Sequence, residues 1–193
     1  MIAALILAAG QSRRMGKPKM LLPWGTRTIL GQVIQEFQSA GLNEVLVVSG
    51  GDSAEVERVA EASSARTVFN AAYATEEMLS SLQVGLRSMA AGVDAAMVAL
   101  GDQPQIQRQT IERIAQYYSE TGASLIVPSF RMRRGHPWLV ARERWDGILH
   151  MQAPQTPRDF LNQNADSIRY LLVDTPTILQ DIDTPQDYLK SVG

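Results

Sequence analysis

Ile2–Ala8 is an unbroken apolar run that opens straight into a loop of small residues and cations, Ala9-Gly10-Gln11-Ser12-Arg13-Arg14-Met15-Gly16-Lys17-Pro18-Lys19. A strand that is apolar at every position, not at alternate ones, must be covered on both faces, as a parallel strand is between two layers of helix. The pattern recurs at Glu44–Val48, Thr67–Asn70, Ala95–Leu100, Ser124–Pro128 and Ile168–Val173, with Pro137–Val140 as a shorter strand. Helical spacing fills the intervals. Ile29, Leu30, Val33, Ile34 and Phe37 share one helical face, with Thr28 at the N-cap and Gly41 beyond the end. Ser53–Ala62, Met78–Met89 and Ile111–Tyr118 read as further helices, and Thr184-Pro185-Gln186-Asp187 starts the last one. The expected fold is α/β with a mostly parallel sheet, in one domain spanning 1–193. Met151–Pro157 reads as a loop between elements, not a domain boundary.

A chain of 193 residues with 45% hydrophobic and 20% charged side chains can bury roughly 70% of its unfolded surface without staples. The absence of cysteine excludes disulfides, thiolate metal sites and a cysteine nucleophile. A net charge of -2 gives no general electrostatic footprint for nucleic acid or membranes, so any anion must be gripped locally. The run Ile2–Ala9 has no basic residue before it and is too short to span a bilayer. Neither a signal peptide nor a membrane helix is expected, and the cytoplasm is the expected location.

The loop after the first strand is where open α/β sheets bind ligands. Gly10 and Gly16 let the backbone turn toward an anion, and Arg13, Arg14, Lys17 and Lys19 can hold phosphate oxygens. Polyphosphate suits such a loop. It is not a Walker A loop, because five residues separate Gly10 from Gly16-Lys17 and Pro18 stands where a magnesium-binding hydroxyl belongs. No G-x-G-x-x-G follows any strand, which removes the dinucleotide fingerprint. Leu100-Gly101-Asp102-Gln103-Pro104 puts a carboxylate at the same sheet edge if the two strands are parallel neighbours. A hard divalent ion beside a triphosphate takes one or two carboxylates, and Asp102 is the first candidate; an Asx-turn is its structural alternative. Asp181-Ile182-Asp183 offers two partners, with a favourable charge at the last helix start as the other role of Asp183.

These segments, together with Leu21-Leu22-Pro23 and Arg134-Gly135-His136-Pro137, run over nearly the whole chain in an order that resembles the molybdenum cofactor nucleotidyltransferases. Ala8-Ala9-Gly10 is similar to the pattern of the cytidylyltransferase branch. The resemblance implies a three-layer αβα Rossmann-like fold and transfer of CMP from CTP to the phosphate of molybdenum-molybdopterin, with release of pyrophosphate. It implies that Leu7, Ala8, Ala9 and Gly10 meet the base and ribose. Arg14 and Lys19 would hold the triphosphate, with Arg13, Gly16 and Asn70 on the nucleotide side. Asp102 and Asp183 would bind magnesium, and Arg134, Gly135 and His136 would face the acceptor. The implied catalytic set is Arg14, Lys19 and Asp102. Implied partners are CTP, a molybdopterin-type acceptor, and proteins that insert molybdenum or receive the finished cofactor.

Asn70-Ala71-Ala72-Tyr73 and Glu77-Met78-Leu79-Ser80-Ser81-Leu82 depart from the usual pattern of the second nucleotide loop. An acceptor phosphate is already ionised at neutral pH, so positioning and charge neutralisation suffice and no covalent intermediate is needed. The competing readings are a relative using GTP or a sugar or alcohol phosphate, and a non-catalytic carrier of the cofactor. Met78 and Met89 are expected in the core, Trp24 under the glycine loop, and Trp138 and Trp145 in the core beside the acceptor segment.

Overall fold

In the computed structural model, residues 1–10, 12, 15–74 and 78–192 are described. The chain runs β1 (Ile2–Leu7), β2 (Pro23–Trp24), β3 (Arg27–Thr28), α1 (Ile29–Ser39), β4 (Val45–Ser49), α2 (Ser53–Ala62), β5 (Arg66–Phe69), α3 (Met78–Arg87) and β6 (Ala95–Leu100). It continues through α4 (Arg108–Thr121), β7 (Leu125–Phe130), β8 (Arg133–Arg134), β9 (Trp138–Ala141), α5 (Trp145–Leu149), α6 (Pro157–Gln163), β10 (Arg169–Leu172) and α7 (Pro185–Val192).

The main sheet has the order β10-β7-β9-β6-β1-β4-β5, with β8 paired to β7. β6, β1, β4 and β5 are parallel neighbours, as are β10 and β7. β9 lies antiparallel between β6 and β7. The period-two geometry of β1 explains its all-apolar sequence. Ala3, Leu5 and Leu7 enter one core with Leu46, Val48, Leu82 and Trp138, whereas Ala4, Ile6 and Ala8 enter the opposite core with Phe37, Val47, Ile111 and Ile114. α3 and α5 cover the first face, while α1, α2 and α4 cover the second, so three layers result.

The expected strands and helices are present with ends shifted by a few residues. Thr28 Oγ1 caps α1 by accepting from Gly31 N at 3.0 Å. α4 is longer than the apolar spacing indicates, reaching to Gly122, whose φ of +63° ends it. The β2–β3 hairpin, β8, α5 and α6 go beyond the sequence expectations. The start of α6 does carry a local signal: Thr156 N and Oγ1 both donate to Asp159 Oδ2 at 2.8 Å, with Pro157 in the first turn. Met78 corrects the core expectation, since it is 42% exposed and lines a cavity. No helix among the described residues is long and apolar enough to cross a membrane.

The antiparallel direction of β9 decides where its preceding loop lies. Its register pairs Val98 with Trp138, so the chain enters β9 at the edge where the parallel strands end. Arg134-Gly135-His136-Pro137 is thereby delivered beside the Gly101-Asp102 turn.

Candidate active site at the carboxyl edge of the sheet

The ends of β9, β6, β1, β4 and β5 form a row at one edge, and the predicted site residues are distributed along it. Gly101 N donates to Leu7 O at 2.9 Å and Ala8 N donates to Val48 O at 2.9 Å, which carries the pairing of the three central strands past their formal ends. Leu7, Ala8 and Ala9 are buried and Gly10 is exposed. The N–H groups of Ala9 and Gly10 form no hydrogen bond among the described residues, as suits a turn that receives an anion. Gly50 packs under this turn. A Cβ there would lie 2.5 Å from the Ala9 carbonyl oxygen and 2.8 Å from Ala9 Cα, so only glycine lets the β4 loop approach so closely.

Lys19 returns from the loop into a short 3-10 turn, where its N–H donates to Ser12 Oγ at 3.0 Å. Its ammonium donates to Asp102 Oδ2 and, at 2.9 Å, to Asp183 Oδ1. Thus three segments far apart in sequence meet at one cation. Two devices hold them: Ile182 N donates to Asp102 O at 3.0 Å, and Ile182 packs with Met15, Leu22 and Ile29 in a small apolar cluster. Trp24 rests against that cluster, close to its expected place. Asp183, not the exposed Asp181, is the partner that reaches Lys19. Thr184 N and Oγ1 donate to Asp187 Oδ2 at 2.9 and 2.7 Å, so Asp187 caps α7 and leaves Asp183 to the cleft.

The trio is electrostatically uneven. The Lys19 and Asp102 side chains are 11% and 13% exposed, and Asp183 is 35% exposed. Burial disfavours the Lys19 charge, but Asp102 and Asp183 outweigh it and hold the ammonium above its ordinary pKa. Burial raises the Asp102 carboxyl above its ordinary value; Lys19 pulls it back while Asp181 and Asp183 push it further up. The two shifts agree physically, because one ammonium serves two carboxylates. Asp102 Oδ1 is buried with no hydrogen-bond partner among the described residues.

Around the loop that leads into β9 lies a cavity of about 1100 Å³ lined by Met78, Gln83, Arg134, His136, Trp138 and Met151 among others. Gln83 Nε2 donates to the carbonyls of Ile148 at 2.9 Å and Met151 at 3.0 Å, tying α3 to the cavity wall. Gly135 sits so near the segment 176–179 that a Cβ would lie 2.4 Å from Ile178 O, and His136 N donates to the same carbonyl at 2.9 Å. Burial lowers the His136 pKa to about 4, which leaves the ring neutral near pH 7. Arg134 is already engaged, donating from Nε to Tyr170 Oη at 2.9 Å and from Nη1 to Asn162 Oδ1 at 2.8 Å. Trp138 and Trp145 are 2% and 4% exposed and pack in the core.

The structure therefore brings together Leu7 to Gly10, Lys19, Asp102 and Asp183, and sets Gly135 and His136 one strand away. Gly16 lies in an exposed turn of the same loop. Asn70 is buried with its amide donating to Ser80 and Ser81 Oγ at 2.9 Å, so its side chain fixes the start of α3. Arg13, Arg14 and Glu77 lie outside the described residues. Gln83, Met151 and Arg158 of the cavity wall carry no signal in the sequence, since their role depends on α3, α5 and α6 packing together.

A mostly parallel sheet whose carboxyl edge gathers a glycine turn, a lysine and two aspartates defines a nucleotidyltransferase of Rossmann-like architecture. The chain belongs to the MobA-like NTP transferase domain family, which matches residues 4–168. It is 30% identical over 200 residues to the molybdenum cofactor cytidylyltransferase of Escherichia coli (strain K12), covering 98% of this chain and 95% of that protein. It is 34% identical over 172 residues to the molybdenum cofactor guanylyltransferase of Mesorhizobium japonicum, covering 84% and 79%. The crystal structure of Rv0371c from Mycobacterium tuberculosis H37Rv superposes with a TM-score of 0.85 at 26% identity, covering 99% of this chain and 97% of that one. The same protein has been solved in complex with manganese, with a TM-score of 0.81 at 25% identity and coverage of 99% and 97%.

Proposed function

We propose that the chain transfers CMP from CTP to the phosphate of molybdenum-loaded molybdopterin and releases pyrophosphate. The observation that carries this reading is the meeting of Lys19, Asp102 and Asp183 beside the Leu7–Gly10 turn; a large cavity surrounds the loop that leads into the neighbouring β9. The residues fit a hard divalent cation: two carboxylates converge on one point, and Asp102 Oδ1 is buried and lacks a partner among the described residues. Asp102 and Asp183 would hold magnesium or manganese. When bound, it supplies charge neutralisation to the triphosphate and the departing pyrophosphate.

The chain's own residues supply positioning. The Ala9 and Gly10 N–H groups and the Lys19 ammonium face the nucleotide, and Arg14 takes the triphosphate role that the family likeness gives it. An oxygen of the acceptor phosphate forms a bond to the α-phosphorus as the bond from that phosphorus to the bridging oxygen of pyrophosphate breaks. The acceptor is already an anion, so no side chain need take a proton. Gly135 and neutral His136 shape the acceptor side without adding charge. Cytosine over guanine is supported by the Ala8-Ala9-Gly10 loop, which is similar to the cytidylyltransferase pattern, and by coverage of 98% of this chain in the match to the cytidylyltransferase relative against 84% for the guanylyltransferase.

Purified protein with magnesium, molybdenum-loaded molybdopterin and each of CTP, GTP, ATP and UTP tests the reading by pyrophosphate release. CTP should give at least tenfold the kcat/KM of GTP. Preference for GTP would move the chain to guanylyl transfer, and turnover only on a sugar phosphate would refute the acceptor.

A further inference from the structure

Lys19 is read from sequence as a phosphate ligand, yet its ammonium lies on both carboxylates that a metal would use. Nζ donates to Asp102 Oδ2 and to Asp183 Oδ1 at 2.9 Å. A magnesium ion takes oxygen ligands at 2.0–2.1 Å, so an ion bound through those oxygens would stand at contact distance from Nζ, like charge against like charge. At those two oxygens the ammonium and the metal are alternatives.

We infer that Lys19 is a tethered counter-cation which fills the metal position until nucleotide arrives, so that the divalent ion enters with the nucleotide and not before it. The reasoning follows the ammonium. It is buried, with 11% of the side chain exposed, and an ammonium moved off its partners inside a protein must find new ones. A bare divalent ion would strand it. A nucleotide triphosphate delivered to the Ala9-Gly10 turn provides phosphate oxygens within the sweep of a four-carbon stem. Lys19 then exchanges carboxylates for phosphate as the metal takes its former place. Nucleotide and metal each strengthen the other's binding, and the coupling is reciprocal. In the empty protein the ammonium offsets one of two closely set carboxylate charges, which explains how Asp102 and Asp183 are held together at all.

The inference rests on reading Asp102 and Asp183 as the cation carboxylates, and not on which base or acceptor is used. Its test is manganese binding, followed by electron paramagnetic resonance and calorimetry on the full chain with no acceptor present. Wild-type protein should bind manganese alone at least tenfold more weakly than Lys19→Met and Lys19→Gln, and Lys19→Arg should resemble wild type. A non-hydrolysable CTP or GTP should tighten manganese binding to wild type by at least tenfold. Adding Asp183→Asn to Lys19→Met should remove the gained site. If both neutral variants fold by circular dichroism and bind manganese alone no better than wild type, the inference is overturned. A wild-type protein that binds manganese alone as tightly as with nucleotide overturns it too. Loss of transfer activity with the manganese pattern intact would instead refute the proposed reaction.

Discussion

Asp102→Asn should stabilise the metal-free protein while destroying its activity. The trio, buried at Lys19 and Asp102 and half-buried at Asp183, holds two carboxylates and one ammonium, an excess of one negative charge. Replacing Asp102 by the neutral isostere leaves Lys19 paired with Asp183, and the amide oxygen still accepts from the ammonium. The Lys19 hydrogen bond weakens, a loss of about 1 to 2 kcal/mol for a bond that is no longer charged at both ends. Against this stands the cost of keeping a carboxylate out of water, several kcal/mol per ion. The direction of the balance is reported by the carboxyl itself: burial raises its pKa despite Lys19, so its charged form is disfavoured by the fold. A net gain of about 1 kcal/mol is expected, which for a domain of this size raises Tm by about 2 to 4 °C.

Calorimetry and guanidinium unfolding in excess chelator measure this, with kcat/KM falling by about 10²- to 10³-fold in the same preparation. Added manganese and nucleotide should raise the Tm of wild type and barely move that of the variant. If Asp102→Asn loses more than about 1 kcal/mol without metal, the Lys19–Asp102 pair is a structural bridge, and the account of a site held in electrostatic tension is wrong.

His136, with a pKa lowered by burial to about 4, binds a proton more readily unfolded than folded. Its contribution is full above pH 6.5 and fades as pH falls toward 4, by about 2.5 kcal/mol at pH 4.5; the stability of wild type relative to His136→Gln should fall by that amount across the range, and parallel curves would refute the neutral ring. Gly50→Ala forces a methyl into the Ala9 backbone, so a loss of about 1 to 3 kcal/mol and a raised nucleotide KM are expected from unfolding and steady-state kinetics. Gln83→Leu leaves two wall carbonyls without their donor, costing about 1 to 3 kcal/mol; the acceptor KM should rise while the nucleotide KM stays fixed, and the reverse pattern would place the cavity on the nucleotide side.

Much of the site is legible in the sequence because a parallel sheet is a sorting device. Any loop that follows a parallel strand arrives at one edge, so the Gly10 turn after β1 and Gly101-Asp102 after β6 can be assigned to the same edge from the sequence, while the pairing of β1 with β6 that sets them side by side is seen only in the fold. Asp183 is separable from Asp181 only through family likeness, since the choice is made in space by Ile182, buried between Met15, Leu22 and Ile29. What stays hidden is set by tertiary contact. β9 has the same apolar character in either direction, and nothing local to Trp138–Ala141 says that it runs against β6. α5 and α6 are short, and of the two only α6 carries a marked cap.

Lys19 shows the limit most sharply. Among glycines and arginines a lysine reads as a phosphate ligand, because local sequence records what kind of charge is present but not which charges lie opposite. Its partners stand 83 and 164 positions away, and only the folded chain reveals that this cation has two anions of its own. The same geometry explains why a buried carboxylate beside a half-buried one is tolerable before any ligand binds. A chain that must keep two like charges ready for a metal has either to leave them in water or to lend them a cation. Here that cation is Lys19, which follows the glycine loop and reaches both carboxylates.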